Sequence, residues 1–405
     1  MEFRRITGLP PYVFAHINAM KSDARARGRD VIDFGFGNPD LPSPEVAVSK
    51  LAEAARHPKN HRYSSSRGIP NLRLALATRY KLLFDVDVDP ETEVVTTIGA
   101  KEGFTHLMWV LLGPGDAAIV PSPSYPIHLA GPGFAGADVI TVPMLDPGAS
   151  ANDPGDDFFE GLLDAWRRAP VKPRVVVVSF PHNPTSACVD LAFMERLVSF
   201  ALEHEVVICH DFAYADLGFD GYRPPSILQV PRARECCVEI YTLTKSFSMA
   251  GWRVGFVVGN AEIVAALTKL KSYLDYGTFQ PVQIAAIVAM NEALDYPEQL
   301  RLIYQSRRDT LIEGLNRVGW DVVSPRGSMF VWASIPEPYR HLTSLEFSTL
   351  LIADADVATS PGIGFGDGGD GHVRFALIEN ELRTHQALRN IRRALTELGE
   401  GVATR

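Results

Sequence analysis

Lys245 stands where a lysine could act as a nucleophile. It directly follows the apolar run 238–243 and lies between two hydroxyl residues, Thr244 and Ser246. A lysine at the end of a buried strand can be desolvated enough to lower its pKa, and a neutral amine attacks aldehydes. Taken alone, the segment favours a surface lysine that happens to follow a strand. Further along the same stretch, Arg253 offers a guanidinium that can bind an anion through two hydrogen bonds.

An aspartate and a tyrosine follow another apolar run. Asp211 comes just after residues 206–209, and Tyr214 follows it within one turn of chain. A carboxylate at the end of a buried strand is costly unless it is paired, and a protonated pyridine nitrogen would be such a partner. The Tyr214 hydroxyl could reach a phenolic oxygen on the same ring. A solvated carboxylate that caps a turn is the alternative.

Asn183 and Tyr125 lie in proline-rich segments that also follow apolar runs. Asn183 lies between two prolines after the run 174–180, where a restricted backbone can hold its amide towards a ligand oxygen. Tyr125 follows the run 117–120 in the segment PSPSYP, from which its ring could stack on a flat heterocycle. A plain turn and a core tyrosine are the respective alternatives.

A helix is predicted to begin directly after the run 93–98. Its first residues are Gly99, Ala100 and Lys101. Small residues at a helix N-terminus leave backbone N–H groups free to hold a phosphate, and the lysine adds positive charge. An ordinary strand-to-helix turn would have the same sequence pattern.

These candidates follow successive strands of one predicted sheet. Apolar runs alternate with helical patterns between about residues 45 and 259, which predicts an α/β domain with a largely parallel sheet. Parallel sheets bind ligands at the carboxyl ends of their strands. Together the candidates supply an aldehyde partner, a pyridinium counter-ion, a stacking ring and a phosphate cradle, which pyridoxal 5'-phosphate (PLP) requires. The predicted strands are residues 93–98, 117–120, 139–142, 174–180, 206–209, 238–243 and 253–259.

The last third of the sequence predicts a smaller α+β unit. Its helical patterns cover residues 297–318 and 382–398, and its strand candidates are residues 320–323, 329–333, 357–359 and 372–376. The stretch before residue 42 fits neither region, and we expect it to cross between them. The predicted division is 1–44 for an N-terminal arm and part of the small domain, 45–290 for a large PLP-binding domain, and 291–405 for a small C-terminal domain.

The composition is that of an ordinary globular protein. The 405 residues are 46% hydrophobic and 21% charged, and the formal charge of −9 disfavours nucleic acid as a partner. No apolar run is long enough to span a bilayer, and the start has no signal-peptide core. Four cysteines without CxxC spacing predict reduced thiols and a cytoplasmic protein. Segment 146–157 predicts a surface loop, and no metal site is expected because its carboxylates lack calcium-loop spacing.

The stretch from Thr242 to Gly255, TLTKSFSMAGWRVG, resembles the PLP-lysine signature of the class I/II aminotransferases of fold type I. One departure is Thr242, where that family usually has serine or glycine, although a threonine hydroxyl also reaches a phosphate. The resemblance implies an α/β PLP-dependent transferase, whose large domain has a mostly parallel sheet and whose smaller domain is α+β. Other segments that carry it are DFGFGNPD (33–40), HRYSSSRGIPNLR (61–73), IGAKEG (98–103), PSPSYPIH (121–128), SFPHNPT (179–185) and HVRFA (372–376).

The resemblance implies a cofactor role for each candidate. Lys245 would carry PLP as a Schiff base and move the catalytic proton. Asp211 would pair with the pyridine nitrogen, while Tyr214 and Asn183 would contact the ring oxygen. Tyr125 would stack on the ring. The phosphate would be held by Gly99, Ala100, Lys101, Thr242 and Arg253.

The resemblance also implies residues for the substrate and for a second subunit. Arg374, in HVRFA, would clamp the substrate α-carboxylate, Gly37 would offer it a backbone N–H, and Asn183 would contact the substrate as well as the cofactor. Tyr12 could close over the site, although a packing tyrosine is the alternative. Tyr63 resembles the tyrosine that reaches the phosphate of the neighbouring subunit, which implies a homodimer with shared sites. An apolar wall for a small substrate side chain would come from Phe14, Phe36, Tyr125 and Tyr276.

The resulting hypothesis is an aminotransferase with ping-pong kinetics. Within the family, the sequence resembles bacterial alanine aminotransferases, which implies L-alanine as amino donor and a 2-oxo acid, 2-oxoglutarate or pyruvate, as co-substrate. Aspartate or diaminopimelate aminotransferases and a PLP-dependent C–S β-lyase share these motifs and stay open. A non-catalytic effector-binding domain is disfavoured because we expect no basic DNA-binding module before the fold. A nicotinamide-dependent dehydrogenase is disfavoured because no GxGxxG follows a first strand.

Overall fold

A computed structural model describes residue 3 and residues 13–144 and 154–402, with the backbone alone for 397–402. The prediction for Tyr12 lies outside the described residues. Within them, seven strands form one sheet in the order β2-β8-β7-β6-β5-β3-β4. Strands β4, β3, β5, β6 and β7 are parallel neighbours, while β8 is antiparallel to both β7 and β2. The strands are β2 (Val94–Thr97), β3 (Ala117–Ser122), β4 (Asp138–Pro143), β5 (Val175–Val178), β6 (Val207–Asp211), β7 (Cys237–Thr242) and β8 (Gly255–Gly259).

All seven strands predicted for the large sheet are confirmed, and so is its mostly parallel character. The nearly continuous valine run of β5 has a simple cause. Val176 and Val178 pack into the core on one face of the sheet, and Val175 and Val177 pack into the core on the other. Because both faces are covered, both sets of alternating side chains must be apolar.

Helices cover this sheet and make up much of the rest of the described chain. None of the described helices is both long and apolar enough to cross a membrane. Their bounds are α1 (Val13–Ala26), α2 (Glu45–Ala55), α3 (Pro70–Phe84), α4 (Ala100–Leu111), α5 (Pro126–Ala135), α6 (Pro154–Arg168), α7 (Leu191–His204), α8 (Leu243–Ser246), α9 (Ala261–Leu274), α10 (Gln280–Glu292), α11 (Tyr296–Arg317), α12 (Ser344–Ala355) and α13 (Glu381–Val402).

The C-terminal region has its own small sheets and its own core. β11 (Ser360–Pro361), β12 (His372–Ala376) and β9 (Phe330–Ser334) form an antiparallel sheet in that order. The N-terminal stretch joins this region, because β1 (Ile32–Asp33) pairs in parallel with β10 (Val357–Ala358). This pairing joins residues 32–33 to the C-terminal region. The expected crossing of the N-terminal stretch and the domain boundaries at 44 and 290 stay predictions.

Two expectations about local structure are wrong. Residues 320–323 form no strand, because the Val322 N–H donates to Asn316 Oδ1 at 2.8 Å and needs no strand partner. The apolar pattern there reflects a buried Trp320, whose Nε1 donates to the Ser334 carbonyl at 2.7 Å. Residues 154–157, expected in a loop, form the first turn of α6. The negative charges of Asp156 and Asp157 stabilise the N-terminus of this helix. The rest of that expected loop, up to residue 153, lies outside the described residues.

Candidate active site

A cavity of about 320 Å³ opens at the carboxyl ends of the sheet strands, between the large sheet and the C-terminal region. That volume is at the lower end of the range of ligand pockets. Most of the side chains proposed from the sequence line it, although they come from distant parts of the chain. The predicted residues in its wall are Gly37, Ala100, Lys101, Tyr125, Asn183, Asp211, Tyr214, Thr242, Lys245, Arg253 and Arg374.

Lys245 lies in the short helix α8, directly after β7. The Thr242 hydroxyl caps this helix by accepting from the Thr244 N–H at 3.2 Å. Lys245 Nζ donates to the Gly37 carbonyl at 2.6 Å. Burial, followed by the nearby positive charges of Arg374 and Arg253, lowers the pKa of Lys245 to about 7. A neutral amine is therefore well populated at physiological pH.

Asp211 ends β6 and is 8% exposed. Its Oδ2 lies 2.8 Å from His128 Nε2, and His128 Nδ1 lies 3.1 Å from Ser124 Oγ. Its other oxygen, Oδ1, is buried and has no hydrogen-bond partner among the described residues. A buried carboxylate oxygen without a donor is costly, so this atom fits a ligand that brings an N–H to the cavity. The protonated ring nitrogen of PLP is such a donor, and the site therefore fits this cofactor.

His128 is a residue of this site that sequence reasoning missed. It is 1% exposed and lines the cavity from the first turn of α5. Its position shortly after Tyr125, in the helix that Pro126 begins, was the available signal. A helix that starts at the edge of a sheet directs the side chains of its first turn towards the strand ends.

Arg374, Asn183 and Tyr214 form a connected polar group at one side of the cavity. Arg374 Nη1 donates to Asn183 Oδ1 at 2.7 Å, and Asn183 Nδ2 lies 3.4 Å from the Tyr214 hydroxyl. Burial raises the pKa of Tyr214 far above its usual range, so its hydroxyl stays protonated. The Arg374 guanidinium lies 3.9 Å from the ring centroid of Phe330 and 4.5 Å from that of Phe365. The two rings fix the plane of this guanidinium.

Two glycines allow close approaches around the cavity. A Cβ on Gly99 would lie 2.3 Å from Arg253 Nη2, and Gly99 has a φ of +81°. Gly99 does not line the cavity, but it makes room for Arg253 beside the N-terminus of α4. A Cβ on Gly37 would lie 2.6 Å from Cε1 of Phe330, so any side chain at that position would displace this ring.

Two tyrosines proposed from the sequence lie away from the cavity of the single chain. Tyr63 is 84% exposed, and its ring centroid lies 4.5 Å from that of Tyr276, which is 59% exposed. Neither residue is in the cavity wall. Tyr276 is therefore no part of the apolar wall in this chain, whereas Phe14, Phe36 and Tyr125 do line it.

Comparison with known proteins assigns the family. The model of the family described as aminotransferase class I and II matches residues 29–388. The chain is 50% identical over 391 residues to glutamate-pyruvate aminotransferase AlaC of Escherichia coli, covering 96% of this chain and 93% of that protein. It is 40% identical to an LL-diaminopimelate aminotransferase of Dehalococcoides mccartyi, covering 92% and 94% of the two chains. The substrate-bound structure of BacF from Bacillus subtilis superposes with a TM-score of 0.88 at 33% identity, over 97% of each chain. The chain thus belongs to the class I and II aminotransferases, with the type I fold of these enzymes and PLP as its cofactor.

Proposed function

We propose that this aminotransferase moves an amino group between L-alanine and a 2-oxo acid, 2-oxoglutarate or pyruvate, at the cavity around Lys245. The observation that carries the proposal is the presence of two groups in one small cavity. Both Lys245, with a pKa of about 7, and the ring-stacked Arg374 line it, close enough for the charge of Arg374 to act on that pKa. An amino acid bound by its carboxylate to Arg374 would therefore present its α-carbon towards the lysine.

The cofactor-facing residues have complementary chemistry. When bound, PLP supplies an aldehyde for the amino group and an electron-poor ring that stabilises negative charge at the substrate α-carbon. The Asp211 carboxylate would lie at the ring nitrogen, and its negative charge would favour the protonated form of that nitrogen. The Tyr214 hydroxyl, which stays protonated, and the Asn183 amide would donate hydrogen bonds to the ring oxygen. Tyr125 would stack on the ring.

At the other end, the phosphate would lie at the N-terminus of α4. Ala100 begins this helix, and its free backbone N–H groups suit an anion. Arg253 and Lys101 would add positive charge, and the Thr242 hydroxyl would add a hydrogen bond. Gly99 would permit the close approach of Arg253.

Lys245 Nζ moves the proton in this proposal. A neutral amine can take the proton from the substrate α-carbon, and the resulting ammonium can return it elsewhere on the bound ligand. Arg374 holds the α-carboxylate through charge-assisted hydrogen bonds, about twice as strong as neutral ones. The Gly37 N–H would bind the same carboxylate. Release of one 2-oxo acid before the next binds gives ping-pong kinetics.

Charge in the cavity wall supports a small, uncharged substrate side chain. Among the described residues, the cationic groups of the wall are Lys101, Lys245, Arg253 and Arg374. The roles proposed above use all four, so the wall suits the uncharged side chain of alanine, and none of the four is assigned to the second carboxylate of 2-oxoglutarate. The remaining wall is apolar and includes Phe14 and Phe36. The printed name of the Escherichia coli relative, a glutamate-pyruvate aminotransferase, supports pyruvate, the oxo acid of alanine, as one substrate and an acidic amino acid as the other.

The proposal includes a homodimer in the cytoplasm. Tyr63 would reach the phosphate in the partner subunit, which accounts for a large aromatic side chain that is 84% exposed in the single chain. Tyr12 would close over the substrate from the N-terminal segment. The four cysteines are free and buried, which supports a reducing compartment.

The visible absorption spectrum of the purified protein, before and after addition of L-alanine alone, tests this function. We expect a yellow cofactor band that alanine bleaches without any oxo acid, and pyruvate formed in an amount equal to the protein. No band after reconstitution with PLP would contradict the site. A band that alanine leaves unchanged would contradict the substrate.

A second candidate substrate follows from the relatives. Because an LL-diaminopimelate aminotransferase is 40% identical over almost the whole chain, the same measurement is made with LL-diaminopimelate. Bleaching by that amino acid but not by alanine would favour the second candidate. Pyruvate and ammonia released from cystathionine without an oxo acid would instead identify a C–S β-lyase.

A further inference from the structure

A buried polar network joins the two chain segments that carry the reactive groups. Its centre is Arg79 of α3, which is 4% exposed. Arg79 Nη2 donates to Asp216 Oδ1 at 2.6 Å, and Arg79 Nε donates to the Tyr241 hydroxyl at 2.6 Å. The Tyr241 hydroxyl donates in turn to Asp216 Oδ2 at 2.7 Å. The three side chains therefore form a closed ring of hydrogen bonds.

Each partner of Arg79 lies close in sequence to a residue of the active site. Asp216 follows Tyr214 in the turn after β6. Tyr241 is in β7, and its hydroxyl lies 3.2 Å from Oγ of Ser246, the residue next to Lys245. The network therefore links the turn that carries Tyr214 to the turn that carries Lys245.

The turn that carries Lys245 is short, and the network contacts it in addition to the Thr242 cap and the Lys245–Gly37 hydrogen bond. Leu243–Ser246 is a single helical turn of four residues, and Phe247 N–H donates to the Leu243 carbonyl at 3.1 Å. Beyond the turn, the Arg79 guanidinium lies 4.9 Å from the Phe247 ring centroid. Side-chain contacts from Arg79 and Tyr241 thus hold this turn from the side of the network.

The protonation states of Arg79 and Tyr241 are fixed. Burial acts to lower the pKa of Arg79, but the Asp216 carboxylate more than offsets it, and the net pKa is raised. Burial also raises the pKa of Tyr241 far above its usual range. Arg79 and Tyr241 therefore keep their protons at any pH at which the protein works, so the network acts through geometry.

From this arrangement we infer that Arg79, Asp216 and Tyr241 are positioning residues, which set where Lys245 lies relative to Tyr214. The inference rests on the proposed role of Lys245 as the residue that bonds the cofactor. None of the three network residues lines the cavity, so their effect passes through Ser246 and the turn after β6.

The test compares two tyrosine variants of the holoenzyme. Tyr241→Phe removes the hydroxyl that connects Arg79, Asp216 and Ser246. Tyr80→Phe is the matched control, because Tyr80 is the next residue of α3, is 0% exposed, and its hydroxyl donates to Glu239 Oε1 at 2.7 Å. The measurements are the melting temperature, kcat and KM, and the pH midpoint of the cofactor's visible absorbance.

For Tyr241→Phe we expect kcat to fall by about tenfold or more, since small misplacements of reacting groups have effects of that size. KM should change little, and the absorbance midpoint should move from its wild-type pH. Tyr80→Phe should lower the melting temperature to a similar extent while kcat and the midpoint stay at wild-type values. The inference is overturned if both variants lose stability but neither changes kcat or the midpoint.

Two further measurements keep the test decisive. If Tyr241→Phe does not fold, Ser246→Ala removes only the hydroxyl beside Tyr241, and an unchanged absorbance midpoint in that variant overturns the inference. A wild-type protein without the cofactor band would overturn the proposed role of Lys245 together with the inference. A normal wild-type band with unchanged variants would overturn the positioning role alone.

Discussion

Two walls of the cavity are built in different ways. The sheet wall, formed by Ala100, Asn183, Asp211, Thr242 and Lys245, consists of residues at or just after strand ends of one sheet. The opposite wall, formed by Gly37, Phe330, Phe365 and Arg374, comes from the antiparallel sheet of the C-terminal region and from loops. In the proposed function the sheet wall carries the reaction and the opposite wall recognises the substrate. Substitutions in the sheet wall should therefore mainly lower kcat, whereas substitutions in the opposite wall should mainly raise KM.

The largest effect is expected in the sheet wall. Lys245→Ala removes the group that moves the proton, so kcat should fall by about 10²–10⁴-fold. Steady-state assays with saturating amino acid and oxo acid measure it. Lys269→Ala, on the exposed face of α9, is the control and should retain full turnover. Wild-type turnover in Lys245→Ala would exclude this lysine from the chemistry.

The same lysine should weaken the folded state in the absence of PLP. Its pKa falls from 10.5 in the unfolded chain to about 7 in the folded protein, so the unfolded state binds more protons between these values. The destabilisation is fully present below pH 7 and disappears as pH rises towards 10.5. PLP-free Lys245→Met should therefore be more stable than wild type at pH 6–7 by roughly a few kcal/mol.

Chemical denaturation of the PLP-free proteins between pH 6 and 10, about the span of the two pKa values, measures this difference. The gap between variant and wild type should shrink steadily as pH rises. A gap that is constant with pH would show that the effect of the methionine is better packing rather than relief of a buried charge.

In the opposite wall, Arg374→Ala should weaken binding of every amino acid substrate alike. Each charge-assisted hydrogen bond to a carboxylate is worth about 1.5–3 kcal/mol, so kcat/KM should fall by about a hundredfold, mostly through KM. Arg392→Ala, an exposed arginine of α13, serves as the control. A loss confined to one substrate would place Arg374 at the side-chain end of the cavity instead.

The smallest effect is expected for the rings that support Arg374. Phe365→Leu removes one of the two aromatic faces, and a cation–π contact of this kind is worth about 0.5–2 kcal/mol. KM should rise several-fold while kcat changes little. Phe347→Leu, a buried ring of the same region without contact to Arg374, controls for loss of packing. A fall in kcat with constant KM would contradict the assignment of the reaction to the sheet wall and of substrate binding to the opposite wall.

The two walls also differ in how far the sequence predicts them. The sheet wall could be derived from apolar runs, because in a parallel sheet the residue after each strand must lie at one edge. Lys245, Asp211 and Asn183 follow from this rule alone, without the family resemblance. Their joint placement follows from the parallel pairing of strands whose presence the apolar runs predict.

The opposite wall could not be derived in this way. Arg374 lies in the middle of β12, and Gly37 lies in a loop, so neither is marked by a strand end. Both were proposed only by resemblance to a family. His128 was missed because its first-turn position in α5 matters only once that helix is placed against Asp211. Trp320 misled the prediction because a buried aromatic residue need not belong to a strand.

The close packing of Gly37 on Phe330 limits how this enzyme could be redesigned. Phe330 fills the space that a side chain at Gly37 would need, and the same ring supports the Arg374 guanidinium. Replacing Phe330 by a smaller residue to admit bulkier amino acids would therefore weaken binding of the α-carboxylate, which all amino acids share. A broader substrate range is more accessible through Phe36, which lines the cavity and is 57% exposed.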